Sequence, residues 1–373
     1  MKRFLLVLPL LFLSCERQEL NPLENALRSA HPAILNVAHD PQKYELQILF
    51  TQIDRDSLGG VTFTDHSFRL DDNQYFYPAS TVKFPMAVLA LEYLSNDSLG
   101  IELSTPYYTN RDSLEHTIAD DVRQIFAVSD NEAYNRLYEL LGRDYANDRL
   151  RSLELGPVRL AHRLSTPNSA VSERDTLRFV GLDTIRPAVN PDASIEKLTL
   201  QKQLKGKGFM RDDARVNEPM DFSEKNYFPI RTQHELIKRL FFPENFDEDQ
   251  KFSLSNEART LLLQSMYKVP RLVGYDESEY YDGYVKFFIY GDTDERIPDQ
   301  IKIYNKVGYA YGTLTETAYI VDEKEDVEFL LSATILVNKN GIFNDDTYEY
   351  DDIGIPFLAQ LGRELYTLEY VRK

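Results

Sequence analysis

The sequence predicts a mixed α/β (α+β) protein: a five-stranded antiparallel sheet flanked by N- and C-terminal helices, with an all-helical lobe beside it. Three observations carry this expectation. Two β-rich runs near the start are separated by a turn, the long middle stretch has helical periodicity, and three strand-like runs followed by an amphipathic helix close the chain. Strands from both ends of a chain form one sheet when helices from the same ends cover it. The 373 residues are ample for one large domain with a sizeable core.

The elements follow in order. Residues 1–14, MKRFLLVLPLLFLS, place Lys2 and Arg3 before an apolar run too short for a comfortable membrane span, the pattern of a secretory signal peptide. Cys15 comes directly after it and is the only cysteine, so no intramolecular disulfide can form. Its place resembles that of a bacterial lipoprotein signal, whose cysteine is lipidated and becomes the mature N-terminus. The expected location is therefore the bacterial cell envelope, as a lipid-anchored periplasmic or outer-membrane lipoprotein with residues 15–24 as a tether. YELQILFTQID (44–54) and GGVTFTDHSFRL (59–70) flank the turn-like RDSL and read as a hairpin. Helix-period apolar positions run through 117–128, 131–142, 232–242 and 255–269. Strand character returns at 299–312, 315–322 and 327–338, before a helix over 354–371. The domain thus spans 25–373. A sheet lobe takes 25–75 and 295–373, and a helical lobe takes 76–294 with a long inserted loop at 169–229. A cleft between lobes is a usual place for a site.

Composition excludes several functions. The formal net charge of −18 opposes binding to nucleic acid or to an anionic membrane surface. His31, His39, His66, His116, His162 and His234 are scattered singly without ligand spacing, so no metal is expected. No motif calls for a cofactor, and a monomer is the default.

Three short motifs carry chemistry, each with a structural alternative. YPASTVKFPMAVLALEYL (77–94) becomes apolar all round and should be buried, yet it begins with Ser80 and Lys83 on one helical face. Desolvation would push Lys83 toward the neutral amine, which could take the Ser80 proton and make a nucleophile; alternatively Ser80 caps the helix. Ser194 and Lys197 repeat the spacing, but in a charged stretch. Ser129, Asp130 and Asn131 lie between two helical segments, where Ser129 and Glu132 also fit a capping box. Lys306, Val307 and Gly308 stand in an alternating strand, where the lysine could simply be solvated.

In this order and on these elements, the three motifs resemble those of the serine penicillin-recognising enzymes, most closely the class A β-lactamase family. The resemblance extends over about residues 25–371 and implies a β-lactamase/transpeptidase-like fold. It also implies roles. Ser80 would attack a carbonyl and form an acyl-enzyme, and Lys83 would activate it. Ser129 would pass a proton to the leaving nitrogen. Asn131 would hold the substrate amide, and Lys306 and Gly308 would line the carboxylate side. The backbone N–H groups of Ser80 and Tyr309 would form the oxyanion hole. The expected substrate is a small-molecule β-lactam or related amide. A D,D-peptidase-like enzyme acting on peptidoglycan and a non-enzymatic binding protein are the alternatives.

Two departures from the family pattern stand out. Val307 occupies a position where a hydroxyl usually binds the substrate carboxylate. The glutamate that activates the deacylating water should fall on Leu164 or Ser165, with Asn168 near the expected asparagine. Glu218, which precedes Pro219, and Glu173 are the substitutes in the inserted loop, and without a base hydrolysis should be slow.

Overall fold

The computed structural model describes residues 21–96, 100–111, 113–167, 169–181 and 191–373. The signal peptide, Cys15 and Asn168 lie outside the described residues. The chain is helical from Pro22, so the folded part begins inside the expected tether. Helix α1 (Pro22–Leu27) starts with Asn21 accepting from the Glu24 N–H, and α2 (Pro32–Ala38) with His31 accepting from Ala33. A proline opens each helix, at a position whose N–H would have no helical partner.

Strands β1 (Gln47–Arg55) and β2 (Val61–Phe68) form the expected hairpin. A 3₁₀ turn (Ala79–Val82) leads into α3 (Lys83–Ser95). The helical lobe continues with β3 (Tyr107–Tyr108), α4 (Ile118–Ala127), α5 (Asn131–Leu141), α6 (Arg143–Ser152) and β4 (Arg178–Phe179), which pairs with β3. Past residue 190 the expected loop is instead a set of short strands: β5 (Leu204–Lys205), β6 (Gly208–Arg211), β7 (Ala214–Val216) and β8 (Met220–Asp221). After them come α7 (Ile230–Phe241), α8 (Asn256–Tyr267) and the single turn α9 (Phe287–Tyr290). The chain closes with β9 (Ile301–Ala310), β10 (Thr313–Asp322), β11 (Val327–Leu336), β12 (Ile342–Phe343) and α10 (Ile355–Arg372). β12 pairs with β6, tying the inserted segment to the sheet lobe.

The main sheet has the order β2-β1-β11-β10-β9, antiparallel throughout, so strands from the two ends of the chain meet at β1 and β11. Alternation along its strands divides the interior in two. Ile53, Tyr319 and Leu330 face inward against α3, α4, α5 and α7. Ile48, Phe50, Ile303, Val307, Ala318 and Leu331 face the opposite way, against α1, α2 and α10. That second core also takes in Val269, Val285 and residues 287–289, which the sequence placed in the helical lobe. Helix α3 is buried on all sides, as its composition requires. Each large side chain on it contributes about 1.5–3 kcal/mol on burial. The 3₁₀ turn before it lies against β9, which places Ser80 and Lys306 at the seam between the two lobes.

Candidate active site

Ser80 sits half-buried in the 3₁₀ turn and caps no helix: the turn follows Pro78 without a side-chain cap, and α3 follows Val82 in the same way. Thr81, not Ser80, closes back onto the Pro78 carbonyl through both its hydroxyl (2.7 Å) and its N–H (3.1 Å). The Ser80 hydroxyl is thereby left to the cleft. Ala79, just before it, has φ +47°, a left-handed conformation that a residue with a Cβ adopts at a cost. The turn leans on β9 at Gly308. A methyl group there would come within 2.6 Å of the Pro78 carbonyl oxygen, 2.9 Å of the Ser80 nitrogen and 3.0 Å of the Thr81 nitrogen. Only glycine lets the strand approach the nucleophile's backbone this closely.

Ser129 is likewise free of the capping role. Asp130 caps α5 instead, accepting from the Ala133 N–H at 2.7 Å. Ser129 takes φ +58° between α4 and α5, the second left-handed residue bordering the site. Its hydroxyl lies between two ammonium groups: Lys306 Nζ donates to it at 2.8 Å and Lys83 Nζ at 3.3 Å. Lys83 also donates to the Ser129 carbonyl and to Asn131 Oδ1 (2.7 Å), and Lys306 donates to the Val307 carbonyl (2.8 Å). Asn131 passes the network on, donating to Ser165 Oγ at 2.9 Å.

Lys83 is 0 % exposed and Lys306 2 %, so the solvated-strand reading of Lys306 fails. Burial pushes the Lys83 ammonium down to about 7, against the pull of the Asp130 carboxylate. Lys306 is held well below the ordinary lysine range, first by burial and then by the charges of Lys83 and Lys286, with Glu316 opposing. Two like charges around one hydroxyl in a desolvated space favour loss of a proton from one of them. The arrangement can therefore offer an amine base and a remaining ammonium at the same serine.

The other expected residues separate from this centre. Tyr309 follows Gly308 with its ring 48 % exposed, edge-on to Tyr350 at a centroid distance of 5.6 Å. Val307 points into the core on the far sheet face, so its side chain offers the cleft neither a wall nor a hydroxyl. Glu218 does not join the cluster. It is exposed and lines a separate cavity of about 510 Å³ with Arg211, Asp212, Lys225 and Asn344, because the strand pairs around it hold that turn outward. Glu173 is also exposed, and among the described residues it is engaged through its carbonyl, by Arg163 at 2.7 Å.

The segment carrying Leu164 and Ser165 is held firmly beneath α5. Asn135 exchanges two hydrogen bonds with Leu164, donating to its carbonyl (2.9 Å) and accepting from its N–H (2.8 Å). Arg163, buried, makes a two-pronged contact with Glu139 and donates to the Val171 carbonyl at 2.7 Å. Among the described residues, no carboxylate hydrogen-bonds to Lys83, Ser129, Asn131 or Lys306. Sequence reasoning missed Lys286, Asn305 and Glu316, which lie behind Lys306. The available signal was polar residues inside the apolar stretches VKFFIY, IYNKVG and TETAYI.

Residues 33–183 match the model of the beta-lactamase enzyme family. The fold is that of solved β-lactamases. A β-lactamase from Streptosporangium roseum is 13 % identical, with a TM-score of 0.53 over 89 % of this chain and 98 % of that one. A class A representative from Bacteroides cellulosilyticus is 11 % identical, with a TM-score of 0.52 over 93 % and 96 %. A third, from Sphaerobacter thermophilus, is 16 % identical, with a TM-score of 0.50 over 92 % and 94 %. No curated protein sequence matches the chain. At these identities the chain shares the neighbours' fold, while its site must be read from its own side chains.

Proposed function

We propose that this β-lactamase-like protein is a serine hydrolase in which Ser80 is acylated by a β-lactam or a related strained amide. The observation that carries the reading is the Ser129 hydroxyl held between two buried lysines, beside a serine freed from capping. Lys83 as a neutral amine takes the Ser80 proton, directly or through water. Ser129, fed by Lys306, returns a proton to the leaving nitrogen. Asn131 and Lys306 hold the amide and carboxylate of the substrate. The Ser80 and Tyr309 N–H groups receive the oxyanion, each such donor being worth a few kcal/mol at the transition state. The test is a fluorescent penicillin: the wild type should become covalently labelled and Ser80→Ala should not. Equal labelling of both, or labelling of neither, refutes acylation at Ser80; labelling of neither leaves a binding protein on this fold.

The acyl-enzyme should accumulate. Deacylation needs a base that holds water, and Leu164 and Ser165 stand where the family's glutamate would. General-base help is typically worth about 10²–10⁴-fold, so a stoichiometric burst followed by slow turnover is expected by intact mass. The same observation favours a second reading, a D,D-peptidase-like enzyme acting on peptidoglycan stems. Comparing nitrocefin turnover with release of D-alanine from a D-Ala-D-Ala peptide separates the two. We further propose that Cys15 carries a lipid anchor in the cell envelope. Cys15→Ser should release the protein from membranes without reducing probe labelling, and a variant that still fractionates with membranes refutes the anchor.

A further inference from the structure

The stretch GYDESEYYDGY (274–284), between α8 and α9, carries four tyrosines and four carboxylates, and the acylation chemistry uses none of them. Its rings pack edge to face. Tyr275 meets Tyr280 at a centroid distance of 5.3 Å, and Tyr284 meets both Tyr280 (4.9 Å) and Tyr281 (6.2 Å). A second aromatic run adjoins it, in which Phe287 and Tyr350 flank Tyr309 at 6.3 and 5.6 Å. Tyr284 and Tyr350 lie on the margin of the same core that buries Phe287. Burial, and then the neighbouring Tyr309, pushes the Tyr284 phenol up to about 12. Every tyrosine of this belt keeps part of its surface open to solvent.

The belt meets both walls of the cleft. At one end Tyr309 stands on the edge strand β9, one residue after the glycine that touches the Ser80 backbone. At the other end Tyr275 lines a cavity of about 480 Å³ with Gln124, whose carbonyl accepts the Asp130 N–H at 3.3 Å. Arg123 and Lys268 line that cavity too, which places a cation at the rings and not inside it. The arginines near the belt are already engaged, Arg271 with Asp282 at 2.9 Å and Arg296 with Glu277 at 2.8 Å. Asp276 and Glu279 are exposed, and neither has an ion-pair partner among the described residues. The Asp276 carboxylate accepts from the Ser278 N–H (2.8 Å) and hydroxyl (2.7 Å). The face of a tyrosine ring attracts a cation, and carboxylates beside it strengthen that attraction while repelling anions. A neutral apolar group would gain from the rings alone.

We propose that the tyrosines of 275–284, together with the Tyr309 ring and the Asp276 and Glu279 carboxylates, form a subsite for an organic ammonium group at the rim of the cleft. The cleft then has opposite polarities at its two levels, lysines at the floor and electron-rich rings with carboxylates at the rim. The ligand that fits both is dipolar, an amide with a carboxylate for Lys306 and an ammonium on a substituent that reaches the rings. That substrate class rests on the acylation reading above, but the ammonium subsite does not.

The test uses choline and its uncharged isostere 3,3-dimethylbutan-1-ol, which differ only in nitrogen against carbon. Protein with isotope-labelled tyrosine rings is titrated with each by NMR, the belt signals being assigned by their loss in single Tyr→Phe variants. Choline should shift the signals of Tyr280, Tyr284 and Tyr309 and bind on the order of tenfold more tightly than the alcohol. Tyr280→Leu should weaken choline binding by a similar factor, and Glu279→Gln should weaken it less, with a reduced dependence on salt. Both residues are at the surface, and Tyr275→Leu serves if Tyr280→Leu does not fold. Equal binding of choline and the alcohol, no shift of the belt signals, or unchanged choline binding in the folded tyrosine variants overturns the proposal. A second measurement addresses the substrate class. An aminobenzyl penicillin and the benzyl penicillin that lacks its ammonium are compared as acylating agents near pH 6, where the amine is charged. The ratio of their rates should fall in Tyr280→Leu, and an unchanged ratio overturns the assignment of the rings to the substrate. If choline binds as described and neither penicillin acylates Ser80, the hydrolase reading fails while the ammonium subsite stands.

Discussion

Replacing Gly308 with alanine tests the geometry of the site at one atom. The added methyl group would stand 2.6 Å from the Pro78 carbonyl oxygen and 2.9 Å from the Ser80 nitrogen, whereas ordinary contact begins near 3.4 Å. The atoms in the way are backbone, so no rotamer change relieves the overlap. Strand and turn must separate by about 0.8 Å, the gap between 2.6 and 3.4 Å. Reactive constellations tolerate only about 0.5 Å of misplacement. The separation pulls the Ser80 N–H away from the strand that carries Tyr309, disrupting the proposed oxyanion hole, and losing one such donor costs about 10²–10³-fold in rate. Overpacking should also cost about 1–3 kcal/mol of stability. Stopped-flow acylation with a chromogenic β-lactam, alongside a denaturant titration, separates the two effects. A folded Gly308→Ala protein that acylates within about threefold of the wild type would refute the argument, since a threefold loss is too small for a lost donor.

Other perturbations have equally definite outcomes. In the proposed reaction Lys83 must be neutral to accept the Ser80 proton, and burial pushes its ammonium down to about 7; the acylation rate should therefore rise as pH increases through neutrality and level off above it, and a profile flat from pH 5 to 9 would exclude Lys83 as the base. Arg163→Ala leaves the buried Glu139 without its two-pronged partner and frees the chain near Leu164; removing one member of a buried ion pair typically costs about 3–5 kcal/mol, measurable by urea denaturation, with faster proteolytic nicking between residues 161 and 181. Glu218→Gln should leave deacylation within about twofold of the wild type, because Glu218 lines a cavity of its own; a loss in the range expected for a general base, measured by decay of the intact-mass adduct, would restore it as the base.

The large elements were legible because their periodicities are strong. β9 was expected over 299–312 and runs over Ile301–Ala310; the final helix, expected over 354–371, runs over Ile355–Arg372. Helix α6 was missed: its sequence RDYANDRLRS is mostly charged, and Gly142 before it reads as a stop. The short strands between residues 204 and 221 were missed for another reason. Two-residue pairings such as β5 with β8 are set by their partners and by the aromatic cluster of Tyr75, Tyr77 and Phe222 beneath them. No local pattern of so few residues can encode that. Glu218 was a reasonable candidate by its neighbour Pro219, yet exposure is a property of the assembled surface.

The sequence by itself determined the order of the elements, the all-apolar helix that must be buried and the three motifs that travel with it. Those depend on side-chain spacing along one helix or strand, which is a local quantity. Tertiary structure decided which hydroxyls were free. Thr81 and Asp130 took the turn-closing and capping contacts that Ser80 and Ser129 could have filled, and only their coordinates reveal it. It also decided the charges, because the state of Lys306 depends on Lys83 from another helix, Lys286 from a distant turn and Glu316 from the next strand. Electrostatic influence in a desolvated interior acts through space, between residues whose separation along the chain carries no information about it.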